Sequence, residues 1–339
     1  MTVRFSLVFL LILSMIFISC ESGEQLNIYS SRHYDTDLEL FSRFTDETEI
    51  RINLIEGGSD ELIERIKNEG VNSPADIVIT VDAGRLWRAK ESDVLQPLSS
   101  DVLNERVPAE LRDPEGYWFG FSQRVRGIIY HKENVDLSEL AGYWELADSQ
   151  WNGRVCVRSS NNIYNQSLVA SLIETHGLEE TEVWAQNLVS NFARNPQGGD
   201  TDQIRAVASG LCDVALANSY YLARLIASSS SSDREVAERV GIYFPAAEYG
   251  GAHVNISGAG LAAHSPNFEN AVRFLEYLSQ PEAQNLFAGG NFEFPVVDDA
   301  EIPLILSEFG SFDSDAVNVS AYGVNNPDAI RLMDRVGWR

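Results

Sequence analysis

Leu26-Asn27-Ile28-Tyr29-Ser30 is an apolar run closed by a serine, and Ser31-Arg32-His33-Tyr34 carries it into Asp35 to Phe44, where apolar residues recur at helical spacing. This stretch reads as a strand, a polar turn and a helix, with Leu38, Phe41 and Phe44 on one helix face. The pattern then repeats. Ile50 to Ile55 alternates as a strand, and Gly57-Gly58-Ser59-Asp60 opens a helix striped by Leu62, Ile63 and Ile66. Ala75 to Val81 is a continuous apolar run, as expected of a strand buried on both faces, and Asp82 opens a helix through Trp87. The βαβαβα order predicts a mostly parallel sheet covered by helices.

A second α/β unit follows the long strand Phe119 to His131. It comprises a strand at Val155 to Arg158, helices at Tyr164 to Glu174, Glu180 to Phe192 and Thr201 to Gly210, a strand at Asp213 to Ala217 and a helix from Tyr220. Ser228 to Ser232 reads as a polar loop. The strand-like stretch His253 to Ala263 returns the chain to the first unit, and helices at Asn267 to Ser279 and Pro281 to Ala288 cover it. The expected fold class is α/β, with two α/β lobes joined by strands crossing near residues 123–131 and 243–257. Residues 25–125 plus about 251–301 form lobe 1, and about 126–250 plus 302–339 form lobe 2.

Residues 1–19 carry a single charge, Arg4, ahead of an apolar run from Phe5 to Ile18, the form of a secretory signal. Ser19-Cys20 followed by Glu21-Ser22-Gly23-Glu24 resembles a bacterial lipoprotein cleavage site, with Cys20 as the lipid-modified first residue. An ordinary signal peptide with an incidental cysteine is the plainer alternative. Both place the protein in the periplasm or at the cell-envelope surface. The formal net charge is −25, and Lys67, Lys90 and Lys132 are the only lysines. Such a surface repels nucleic acid and offers no polybasic membrane patch. Cys156 and Cys212 lack C-x-x-C spacing, so they read either as an exported disulfide or as two small core side chains.

Tyrosines recur where strands hand over to helices: Tyr34 in the first turn, Tyr164 after Ser159-Ser160-Asn161-Asn162-Ile163, and the adjacent Tyr220 and Tyr221 after Ala217-Asn218-Ser219. Ligands of open α/β sheets bind beyond the carboxyl ends of the strands, so four phenols are delivered toward one cleft. A phenolate is a hard anionic oxygen donor and suits a hard, highly charged cation. A free phenol titrates near pH 10, and only a bound cation of high charge displaces its proton at neutral pH. Four phenolates around Fe³⁺ leave one negative charge, for which Arg32, Arg126, Arg158 and Arg224 are candidate partners by position.

These segments carry a family resemblance over nearly all of the chain beyond the leader. Tyr29 to Tyr34, Val157 to Ser167, Asn195-Pro196-Gln197-Gly198-Gly199-Asp200-Thr201-Asp202-Gln203-Ile204, Ala217 to Tyr221 and His253 to Gly258 together resemble the ferric-ion-binding periplasmic proteins of bacterial iron(III) ABC importers. The resemblance implies the class II periplasmic binding protein fold and a monomer that delivers Fe³⁺ to an ABC permease. It implies Tyr220 and Tyr221 as paired metal ligands. Tyr34 and Tyr164 match the branch with four tyrosines, with His33 as a candidate fifth ligand. Another branch uses His, Glu and the tyrosine pair with a small anion. Asp82 stands where that Glu would come, and the choice of the tyrosine-rich branch leaves a synergistic anion open.

Blander readings stand beside these. An adjacent tyrosine pair at a helix start is ordinarily half-buried packing, His33 can simply bond its own loop, and His131 and His264 read as surface residues. A second function class is a binding protein of the same fold for an organic or oxyanion solute such as a polyamine, thiamine or sulfate. A third is an exported enzyme, for which the sequence offers no G-x-S-x-G, no H-E-x-x-H and no cysteine nucleophile with a positioned histidine. The reading is therefore a binding protein and not an enzyme.

Overall fold

A computed structural model describes residues 24–339; the expected leader and Cys20 lie outside the described residues. The first part of the chain runs β1 (Gln25–Ser30), α1 (Asp35–Thr48), β2 (Arg51–Glu56), α2 (Ser59–Glu69), β3 (Ile77–Val81), α3 (Ala83–Glu91), β4 (Leu95–Gln96) and α4 (Asp101–Arg106). The long strand β5 (Phe119–His131) leads to β6 (Val155–Cys156), α5 (Ile163–His176), α6 (Leu178–Ser190), α7 (Asp200–Ala208), β7 (Val214–Asn218) and α8 (Ser219–Ala227). β8 (Val240–Tyr243) and β9 (Val254–Ala262) follow, and helices Phe268–Leu278 and Pro281–Phe287 come next. Helices Ala321–Val324 and Asn326–Arg335 end the chain, packing on α3, α5 and α6.

The strands are ordered β2-β1-β3-β9-β5-β7-β6, with β4 beside β9 and β8 beside β5. Parallel pairing is confined to the two ends, β2-β1-β3 and β7-β6, where helical crossovers connect the strands. The middle is antiparallel, so the sheet is mixed rather than mostly parallel. The reason is β5, which spans roughly 40 Å at the usual strand rise. Its residues from Phe119 to Val125 pair with β9, and those from Arg126 to Tyr130 pair with β7. One strand thus serves both ends of the molecule, and its partner changes between Val125 and Arg126.

Apolar faces close both ends. Phe44 of α1 meets Phe274 edge-on at 4.9 Å, and Trp338 packs against Trp184 and Phe192 at the other end. Cys156 and Cys212 form a disulfide across 5.9 Å between Cα atoms, so the bridge holds β6 beside the start of β7. Two local expectations change. The serine run Ser228 to Ser232 does not stay a loop: a helix starts at Ser231, with Ser228 Oγ donating to Asp233 in its first turn. His131 is buried, its Nδ1 accepting from the Glu133 N–H.

Candidate metal centre

Each tyrosine owes its position to the junction that carries it. Tyr34 is the extended residue that immediately precedes α1. Tyr164 is the second residue of α5, and its N–H donates to the Asn162 side chain that caps this helix, at 3.1 Å. Tyr220 and Tyr221 are the second and third residues of α8, with ring centroids 4.4 Å apart. Beneath them Asp200, fully buried, accepts from the Asn218 N–H at 2.8 Å and from Arg158 at 3.0 Å. Arg126 donates to Asn165 and Asn218 at 2.6 and 3.2 Å. This polar layer satisfies buried groups that would otherwise be costly, and it locks the α5, α7 and α8 junctions together.

The phenols meet at a residue absent from the expected arginines. Arg124, on β5, donates from Nη2 to the Tyr164 hydroxyl at 3.0 Å and to the Tyr220 hydroxyl, and its Nη1 lies 3.4 Å from the Tyr34 hydroxyl. Tyr220 also accepts from Asn218 at 3.3 Å. Arg32 and Arg224 lie over the Tyr34 ring at 4.7 and 5.1 Å, Arg224 lies over both rings of the pair, and Arg158 lies over the Tyr164 ring. Arg32, Arg126, Arg158 and Arg224 thus stack or buttress, and Arg124 makes the hydrogen bonds. The signal for Arg124 was two arginines, Arg124 and Arg126, inside a strand of otherwise apolar character, an arrangement that requires buried partners.

Burial pushes the Tyr220 hydroxyl well above the ordinary phenol range; Tyr164, Tyr221 and Tyr34 push it the same way, and Arg124 opposes them. Burial, with Tyr164 and Asp200, pushes Tyr221 up to about 12. Both are therefore neutral phenols at physiological pH in the metal-free protein. Burial works against the charge of Arg124, but Tyr220 and Glu293 outweigh it and hold the guanidinium protonated. Glu293, fully buried and also missed in the sequence, accepts from Arg124 at 2.7 Å and from Arg32 at 3.0 Å.

Two candidates have other partners. His33 Nδ1 is 3.0 Å from Glu56, and 54% of its side chain is exposed. Asp82 is fully buried and accepts from Ser167, the Gly84 N–H and Asn255, so its oxygens are already committed. Among the described residues no cluster of His, Cys, Asp and Glu offers three metal ligands, which leaves the phenols as the dense set of oxygen donors.

A model of the bacterial extracellular solute-binding protein family matches residues 72–308. The chain belongs to that family. Iron uptake protein A1 of Synechocystis is 50% identical over 319 residues, 94% of this chain and 89% of that protein. The structure of the Trichodesmium protein IdiA, or FutA, in complex with iron and citrate has 58% identity and a TM-score of 0.91, covering 93% of this chain and 100% of that one. Apo FutA2 from Synechocystis has 49% identity and a TM-score of 0.90 over 94% and 100%. The fold of this solute-binding protein is the class II periplasmic binding fold of those neighbours, and its relatives are transport proteins rather than enzymes.

Proposed function

We propose that this solute-binding protein captures Fe³⁺ outside the cytoplasm, between two lobes, and delivers it to the permease of an ABC importer. The observation that carries the reading is the convergence of three phenol hydroxyls, from three separate strand-to-helix junctions, on the single cation Arg124. A set of phenols already gathered around one positive charge, one of them fully buried and the others partly so, is a poor organic-solute pocket and a good cage for a hard cation. Relatives at half identity or more that are named for iron uptake or solved with iron support the same choice.

Tyr34, Tyr164, Tyr220 and Tyr221 are the ligands in this reading, and His33 leaves Glu56 to become the fifth. Binding expels the phenol protons. Four phenolates around Fe³⁺ then leave one negative charge, which Arg124 offsets without ever losing its own proton. Tyr34 comes from lobe 1 (residues 25–125 and about 251–301), and Tyr164, Tyr220 and Tyr221 come from lobe 2 (about 126–250 and 302–339). β5 and β9 are the hinge. The leader is removed at Cys20, whose lipid anchors the protein to the envelope.

Purified metal-free protein mixed with ferric citrate tests the central claim. The expected result is a strong visible phenolate-to-iron charge-transfer band at one iron per chain. A colourless mixture sinks the iron reading.

A further inference from the structure

The phenol cluster rests on a buried ionic network centred on Glu293, which reaches the tyrosines through its arginines. Glu293 lies in the segment after helix Pro281–Phe287, far along the chain from Tyr34, Tyr164, Tyr220 and Tyr221, and no part of its side chain is exposed. Its Oε1 accepts from Arg124 Nη1 at 2.7 Å. Its Oε2 accepts from Arg32 Nη1 at 3.0 Å, from Ser257 Oγ at 2.9 Å and from Ser122 Oγ. Arg32 is further tied to Asp37 at 2.9 Å and to the Phe287 carbonyl. Two arginines and two carboxylates balance one another, and every oxygen of Glu293 is committed.

The geometry points to Glu293 as the positioning residue of the centre: it acts through Arg124, and secondarily through Arg32, to fix where positive charge meets the phenols. Both arginines that Glu293 holds face tyrosines. Arg124 bonds the hydroxyls, and Arg32 lies over the Tyr34 ring at 4.7 Å. A guanidinium is a rigid fork, so fixing Nη1 on Glu293 also fixes the direction in which Nη2 points at Tyr164 and Tyr220. Ser257 reinforces this, since its Oγ accepts from Arg124 at 3.2 Å while donating to Glu293. Ser257 on β9 and Glu293 after the helix thus hold the Arg124 cation together, and Ser122 on β5 holds Glu293 itself.

This inference rests on the iron reading and is tested separately from it. Colour in the wild-type protein with ferric citrate is the control for iron itself. Glu293→Gln keeps the shape but presents an amide N–H₂ to one arginine, which then loses its acceptor. Expected are a roughly tenfold or greater loss of iron affinity by citrate competition, typical of removing an outer partner of a metal site, and a displaced charge-transfer band. The displacement should have the direction seen in Arg124→Met, and adding Glu293→Gln to Arg124→Met should move the band by much less than it does in the wild type, the remainder coming through Arg32. A coloured wild type with an unshifted band in Glu293→Gln overturns the proposal, as does a shift that simply adds to that of Arg124→Met. Should Glu293→Gln fail to fold, Ser257→Ala is read instead. A smaller shift in the same direction supports the proposal, and an unshifted band overturns it.

Discussion

Ser167 Oγ stands 2.9 Å from both carboxylate oxygens of Asp82. Asp82 follows β3 and caps α3, Ser167 sits one helical turn beyond Tyr164 on α5, and Asn255 of the crossing strand β9 donates to the same carboxylate at 2.8 Å. Asp82 itself has φ 80°, a left-handed conformation that an aspartate holds only when its surroundings over-determine it. Burial holds this carboxyl above its ordinary range. The residue that occupies a plausible ligand position in the sequence is thus a clamp that aims the helix bearing Tyr164. Ser167→Ala leaves Asp82 with the Gly84 N–H and Asn255, so unfolding of the metal-free protein should become easier by about 1–2 kcal/mol. Denaturant titration measures that loss, and citrate should strip iron from the variant faster. Unchanged stability would show that the contact is incidental.

Tyr220→Phe removes the hydroxyl most deeply buried among the phenols and leaves Arg124 Nη2 with Tyr164 alone. Affinity for ferric ion should fall by more than about 100-fold, beyond the usual range for an outer partner, with most of the visible band lost. Competition with citrate reads the first and absorbance the second. Wild-type colour in Tyr220→Phe removes this tyrosine from the ligand set.

The phenols also set a pH dependence whose sign is fixed by Tyr221. Its hydroxyl is pushed up to about 12 in the folded metal-free protein, mainly by burial, against about 10 for a free phenol. A raised value means that the neutral form is the folded one. Its contribution to stability is complete below about pH 10 and drains away as the pH climbs toward about 12. The metal-free protein should therefore weaken over that interval, as read by urea midpoints, and Tyr221→Phe should weaken less. Iron loading runs the opposite way, since protons compete with the metal for the same oxygens. The colour should fade as the pH is lowered.

The tyrosines were legible because a strand-to-helix junction is a local pattern, and each of Tyr34, Tyr164, Tyr220 and Tyr221 lies within two residues of a helix start. The strand Phe119 to His131 was legible to its exact ends for the same reason. Its antiparallel pairing with β9 was not, because that contact joins residues more than a hundred apart and leaves no mark on either segment. Arg124 and Glu293 fail on the same ground. The strand around Arg124 marks it as needing a buried partner, but nothing local names that partner, and Glu293 looks like an ordinary charged residue until burial forces the pair together. Asp82 stands where the Glu of the other branch would come, and its clamping role is not legible there because its partners Ser167 and Asn255 come from distant elements.

The disulfide between Cys156 and Cys212 closes a loop of 56 residues and ties β6 to the start of β7. Chain entropy gives such a bridge about 4 kcal/mol. Reduction should lower the free energy of unfolding by about that amount, with the charge-transfer band of the iron-loaded protein unmoved, because Cys156 and Cys212 each lie eight residues before the tyrosine, Tyr164 or Tyr220, that follows them. Equal denaturation midpoints with and without dithiothreitol would contradict the entropic estimate.

Closure is the remaining prediction, and Arg124 gives it a specific form. Val125 is the last residue of β5 to pair with β9, and Arg126 is the first to pair with β7. A rotation of the two proposed lobes about this point would move Tyr34 against Tyr164, Tyr220 and Tyr221 while leaving Arg124 near the pivot. Arg124 can then keep contact with the lobe 2 phenols in an open form and gain the longer 3.4 Å contact to Tyr34 on closing. Iron that bridges the lobes should reduce the radius of gyration in small-angle scattering. It should also raise the melting temperature, because a ligand bound only to the folded state at a thousand times its dissociation constant adds about 4 kcal/mol. Tyr34→Phe keeps three phenols in lobe 2 but loses the one from lobe 1. It should bind iron more weakly and without the compaction. Full compaction in Tyr34→Phe would mean that closure is driven by contacts other than the metal.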